Sequence, residues 1–522
     1  EARGEERERA GAVPFLTSCL GGERDLGAVA AHNLRLLAEG AKTAQAIAKV
    51  GAVPLAAAIE SSETPDAALT EYCHLAQQLA SIPGTHGALC NPKAVSKMHV
   101  SLARRVEQAR DAPAECDVFA ISALSLLLAG SASTVVASTE CIPTLGRVAL
   151  GTSDDDVATA ACKALASLLH AKTPVKNVQS DVVSNLTAVL IAAKKRPRDV
   201  QVSRAALSGF LNAVTHGPFC KLLLTSPCFE ELVERIGSPD CPQALAAMDV
   251  IRALSMQEGV AARAVRAGVA EAVLLAAANH RKDADCRRSL SRTLLVVSVK
   301  GDSEARLRLA HVATPVILGL LKVSDVNAQR EAAATITTLC TEPFNKFSLT
   351  RTFEALPDLV ALLKHEDLEM QRYGTQICAL LASTENAMFG ENAQLLVRHH
   401  ALRPLCEAVL STDQVVHRNA VWALAAITVW TGAHERMGPV VDYLIKVLAG
   451  GTPEAQRYAI MAISNMGATE KTRDFMSERG VVKKLYQCMQ ANAHDRALQQ
   501  FGTQAVANIV RKGTQVFAIP AP

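Results

Sequence analysis

Aromatic side chains are scarce in this sequence: Phe, Trp and Tyr make up 4% of 522 residues, with only two Trp and five Tyr. Sheet proteins draw heavily on aromatic and β-branched residues. An apolar content of 49% carried mainly by Ala, Leu and Val therefore predicts closely packed helices. Excess charge is lacking too. The 54 Lys and Arg against 51 Asp and Glu leave +3, too little for a global attractor of nucleic acid or anionic membrane, so nucleic acid is not expected as a partner and any electrostatic recognition must be local. The fourteen cysteines include no C-x-x-C pair from which a zinc site or redox dithiol could be built, the nearest two being Cys220 and Cys228. They are expected as free thiols, mostly buried, of a reducing compartment. With no secretory apolar segment at the start, this predicts a cytoplasmic location, with cytoskeletal, ciliary or organellar association left open. The chain begins at Glu1 without Met, so a leader or upstream domain is an open expectation.

Long hydrophobic runs are missing as well. The stretch from Val118 to Thr139 carries no charge and reaches the length of about 20 residues that a bilayer crossing needs. Its second half is dominated by Ser, Thr and Gly, so it reads as a buried helix followed by a turn. Phosphate-cradling and nucleophile motifs of the types G-x-G-x-x-G, G-x-x-x-x-G-K-[ST] and G-x-S-x-G do not occur. His365-Glu366-Asp367-Leu368-Glu369 lacks the second histidine of a metalloprotease helix. Ser153-Asp154-Asp155-Asp156 lacks the glycine and glutamate of an EF-hand and suits a helix N-cap. No catalytic residue, metal site or cofactor is predicted, and the chain is expected not to be an enzyme. Lys194-Lys195-Arg196-Pro197-Arg198 is a basic cluster that suits an exposed loop, an import signal or an acidic contact.

What the sequence does contain is a repeat. Gly11-Ala12-Val13-Pro14 returns forty residues later as Gly51-Ala52-Val53-Pro54, and self-similarity at that period is the signature of a solenoid. Each unit opens with a small residue, an apolar pair and often a proline, which is expected to start a helix where no backbone donor is needed. After a polar turn comes a longer Ala/Leu-rich third helix. Asn419-Ala420-Val421-Trp422-Ala423-Leu424, Tyr458-Ala459-Ile460-Met461-Ala462-Ile463 and Phe501-Gly502-Thr503-Gln504-Ala505-Val506 are examples. Further openings fall near Lys97, Pro143, Ser184, Glu230, Glu271, Pro315, Pro357, Pro404, Asp442 and Lys483, giving about twelve units. Loops are expected at Ser81 to Gly87 and Lys194 to Arg198.

With these openings and third helices the chain resembles the armadillo-repeat family, most closely over Asn419 to Ile427, Ala459 to Met466 and Thr503 to Ile509, while the units over 60–310 are degenerate and HEAT-like. The resemblance implies an all-α, right-handed superhelical α-solenoid of about twelve armadillo/HEAT-like repeats. A charged segment 1–10, the solenoid 11–513, clearest over 311–513, and a tail 514–522 complete the expected organisation. The resemblance also implies a groove that binds proteins, with Trp422, Asn465 and Asn508 at groove positions and Asn212 as a further candidate. Met461 and Gln504 stand where Trp is usual, which argues against import-receptor cargo.

Arg330, Arg372, Arg418 and Arg457 each lie four residues before the Trp-equivalent position of their own unit, and residues so spaced share a helix face. They predict a ladder of guanidiniums suited to carboxylates or phosphates, unless Glu331, Glu369 and Glu454 neutralise it. The expected function is a non-enzymatic scaffold or adaptor that holds an extended acidic protein segment. The alternatives are a structural subunit of a large assembly, axonemal or organellar, and a regulatory domain of a larger enzyme.

Overall fold

In a computed structural model, the structure describes residues 2–20, 24–61, 64–89, 98–111, 113–129, 141–168, 176–193, 200–214, 223–224, 228–383 and 390–510. The described residues form helices and turns, with no strand among them. They divide into two compact units, Glu1–Leu254 and Ser255–Pro522. The basic cluster 194–198 and the tail 514–522 lie outside the described residues.

Each unit is a two-layer α-solenoid. In the first, the third helices Arg24–Leu37, Asp66–Ala80, Glu115–Ala129, Asp155–Leu168, Val200–Val214 and Cys241–Leu254 pack in succession. Ala2–Cys19, Ala41–Glu60, Met98–Gln108, Cys141–Gly151, Lys176–Ala193 and Cys228–Ile236 form the facing layer. In the second unit the third-helix layer runs Ala284–Lys300, Val326–Leu339, Leu368–Ala382, Gln414–Thr428, Pro453–Met466 and Arg496–Val510. Among the described residues each unit has six third helices, in keeping with the about twelve units expected from the sequence. The degenerate stretch 60–310 follows the same plan, because stacking requires small and apolar side chains at the contact positions rather than a particular word.

One expectation is corrected. Pro14, Pro54 and Pro315 do not start helices: each lies inside one, in Ala2–Cys19, Ala41–Glu60 and Ser303–Leu320. There the first two helices of a repeat run together, and the proline removes one intrahelical bond without ending the helix. Pro357 does sit in the first turn of Leu356–Ala361. Residues 2–10 of the charged run lie in the same helix, Ala2–Cys19.

Helix ends are closed by side chains. Asp154, Asp283, Asp302, Asp325, Asp367 and Asp413 accept from free amides of the helices they precede. At the C-terminal ends, a polar side chain six residues further on takes a last carbonyl: Asn345 on Leu339 (3.1 Å) and His434, through Nε2–H, on Thr428 (2.7 Å). Thr472 does the same for Met466. The stretch Ser81 to Gly87, expected as a loop, is the same device. It folds into a short turn, Pro83–Thr85, and a helix, His86–Leu89, in which buried Thr85 and His86 take the carbonyls of Leu79 (2.5 Å) and Ala80 (2.6 Å).

Close approach of backbones fixes a few glycines. A Cβ on Gly374 would stand 2.8 Å from Leu362 Cβ and 3.0 Å from its carbonyl carbon, and backbone cannot yield as a flexible side chain can. Gly374→Ala should therefore destabilise the chain by about 1–3 kcal/mol. Gly319→Ala, where nothing lies within 4 Å, should cost nothing. Denaturant midpoints of the two variants check the contrast.

Candidate functional site

Three of the four arginines predicted from spacing, Arg330, Arg372 and Arg457, each pair with the aspartate that precedes the next third helix. Arg330 sits in Val326–Leu339 and grips Asp367, which caps the next third helix, Leu368–Ala382. Its Nε donates to Oδ1 at 3.0 Å and its Nη2 donates to Oδ2. Arg372 repeats the arrangement on Asp413, the cap of Gln414–Thr428, at 3.2 and 2.6 Å, and also donates to Glu369. Arg457 reaches Asp495 at 2.7 Å, while Asp495 accepts from the amide of Leu498. Two arginines outside the predicted set do likewise: Arg288 with Asp325 (2.9 Å), and in the first unit Arg204 with Asp240 (3.0 and 2.5 Å). The partners are 36 to 41 residues apart in sequence.

One short pattern produces this. Asp325, Asp367 and Asp413 are each followed five residues later by the arginine, and four residues later by Gln329, Gln371 or His417. The aspartate closes the start of its own helix and receives the guanidinium of the preceding repeat. The residue between reaches back to a carbonyl before the helix: Gln329 to Val323 (2.7 Å), Gln371 to His365 (2.7 Å) and His417 to Val409 (2.6 Å). Thr452, Gln456 and Arg457 follow the same spacing with threonine as the cap.

The electrostatics follow the geometry. The hydrogen bond from Arg372 holds the Asp413 carboxyl down at about 2, with the amides of Val416 and Val415 adding to it against burial. Arg330 lowers Asp367 in the same way. Burial pushes Asp325 and Asp495 up, but their arginines and cap amides bring both below the ordinary carboxylate value.

The other predicted residues lie elsewhere than a groove surface. Trp422 is 1% exposed, its ring tilted against Tyr458 with centroids 6.4 Å apart, and its Nε1 is buried without an acceptor. Asn465 and Asn508 are fully buried. Asn465 donates to Thr428 Oγ1 (3.4 Å), and Asn508 donates to the carbonyl and hydroxyl of Ser464 (3.0 and 3.1 Å), each fastening its helix to the one before. Gln504, half-buried, donates to Asn508 Oδ1 at 2.9 Å. The Asn212 side chain lies outside the described residues. The small residues that make these segments read as third helices, such as Ala423, Ala425 and Ala426, let neighbours close over the Trp and Asn positions.

Residues 391–429, which include Asp413, His417 and Arg418, fit the armadillo/beta-catenin-like repeat. The chain thus contains an armadillo-type repeat. Its architecture is similar to a crystal structure of an engineered protein, at 20% identity and a TM-score of 0.52, over 87% of this chain and 98% of that one. It is also similar, at 12% identity and a TM-score of 0.55 over 96% of this chain and 99% of that one, to a structure described by the words "A conserved phosphorylation switch controls the interaction between cadherin and beta-catenin in vitro and in vivo". At these identities the likeness is one of fold. No curated protein matches the chain in sequence. No described helix is long and apolar enough to cross a membrane.

The rungs carry a pH dependence. Asp413 has a folded value near 2 against an ordinary 3.8, so its contribution to stability is complete above about pH 4 and is lost as pH falls through about 2. Asp413→Asn keeps a capping side chain but cannot titrate. Its stability, followed by circular dichroism, should fall less steeply between pH 4 and 2 than that of the unaltered chain. Identical acid limbs would show that the rung does not stabilise the fold.

Proposed function

We propose that this chain is a non-enzymatic protein-interaction scaffold or adaptor of the cytoplasm, holding an extended acidic segment of a partner along the third-helix layer of residues 255–522. The observation that supports it most is the row of guanidiniums at one helical position in five successive repeats. Arg288, Arg330, Arg372, Arg418 and Arg457 keep between 32% and 45% of their side chains exposed. A pair with one aspartate does not use every N–H of a guanidinium, so a rung can hold its structural partner and still present donors outward. The row is periodic, which suits an extended ligand rather than a compact one.

A second reading, a structural subunit of a large assembly, is favoured by apolar side chains on the facing layer of the first unit. Phe15, Val50 and Val53 are 69%, 49% and 46% exposed, and covered faces are what such a subunit would need.

The two separate in one experiment. The full chain is used as bait in native lysate, bound proteins are cross-linked, and the cross-linked peptides are mapped. Acidic segments joined to the third-helix layer, and released as salt is raised, are the expected result. A fixed stoichiometric set resistant to salt and joined around Phe15, Val50 and Val53 would replace the adaptor reading with the assembly one.

A further inference from the structure

One rung of the ladder is incomplete. Arg418 occupies the same position in Gln414–Thr428 as Arg288, Arg330, Arg372 and Arg457 do in their helices, but the next third helix, Pro453–Met466, is capped by Thr452 instead of aspartate. Thr452 Oγ1 accepts from the amide of Ala455 at 3.3 Å, so the helix is closed without supplying a carboxylate. Arg418 is left with the neutral amide oxygen of Asn419, at 3.3 Å from Nε and 3.2 Å from Nη2. The nearest acid, Glu454, stands 3.8 Å away with 43% of its side chain exposed, and a loose exposed pair of that kind contributes little. One turn along the same helix face, Trp422 holds a buried Nε1–H with no acceptor. Two donors left short of acceptors thus fall on a single repeat, while every other rung described in the unit is closed by an aspartate.

We propose that the Arg418 repeat is the anchoring point of the third-helix layer, taking a carboxylate of the partner segment into the position that Asp325, Asp367, Asp413 and Asp495 fill at the other rungs. This rests on the acidic-segment reading above and adds to it a specific residue and register. A ligand carboxylate here meets a guanidinium that holds only the neutral oxygen of Asn419 and a 3.8 Å pair with Glu454, so it exchanges weak contacts for a close charge-assisted pair rather than competing with a resident aspartate. At the neighbouring rungs the same ligand would share its donors with a resident aspartate.

The test is to supply the missing acid from within. Thr452→Asp retains a capping side chain and places a carboxylate where the other repeats have one. Binding to the full 522-residue chain is read by fluorescence anisotropy with a labelled peptide alternating Asp with Ser and Gly, beside its Asn counterpart, and Tm is recorded for each variant. The expected result is binding of the acidic peptide weakened about five- to tenfold by Thr452→Asp, and similarly by Arg418→Gln, while Thr452→Ser binds as the unaltered chain does and the Tm of Thr452→Asp is unchanged or higher. If the unaltered chain prefers the acidic peptide but Thr452→Asp and Arg418→Gln bind it equally well, the anchor is overturned and the acidic groove stands. If the unaltered chain does not distinguish the two peptides, the acidic-segment reading and the anchor fall together.

Discussion

The second unit depends on an aspartate used twice. At the start of Val326–Leu339, Leu368–Ala382, Gln414–Thr428 and Arg496–Val510 it satisfies amides that the helix leaves free, and at the same time it receives the arginine of the preceding repeat, as Asp367 does from Arg330 and Asp413 from Arg372. Local and long-range structure therefore require one another. The cap positions the carboxylate for the pair, and the pair holds the capped end in place. Towards the other end of the helices, Asn465 and Asn508 supply a second tie to the preceding helix. Pro453–Met466 and Arg496–Val510 are thus fastened at two separated points, which fixes their rotation more firmly than apolar packing of Ala and Leu alone would.

The same economy explains why the face has chemistry to offer. An arginine held by a rigid acceptor is pre-organised, so a ligand meeting it loses less side-chain freedom than it would on binding a free one. A ladder of held guanidiniums is then a surface of fixed spacing, and its period is the period of the repeat.

Much of this was legible in the sequence. The repeat follows from recurrence at about forty residues, and the third helices and the arginine position follow from spacing within a single helix, where i and i+4 relations are dependable. The acceptors were not recognised because each belongs to the next repeat, 36 to 41 residues on, and an aspartate beside a turn reads first as a cap. The sign that would have found them is the recurrence of Asp five residues before Arg288, Arg330, Arg372 and Arg418. Trp422, Asn465 and Asn508 were placed on the correct helices but not at the correct depth, since burial depends on how closely the flanking helices approach. Pro14, Pro54 and Pro315 misled for a related reason: proline is tolerated both at a helix start and within a continuous helix, and the sequence near it is the same in either case.

The rungs also have a direction. Each runs from an arginine to the aspartate of the following repeat, never the reverse, so the two ends of the stack are not equivalent when a repeat comes loose. Detaching a repeat on the leading side strands an aspartate that is still engaged as a helix cap and loses only part of its bonding. Detaching one on the trailing side strands an arginine that has lost its principal acceptor and can turn to solvent. Unzipping from the leading edge leaves a better-satisfied stub than unzipping from the trailing edge, and the ladder thereby gives a nearly repetitive polymer of helices a mechanical polarity.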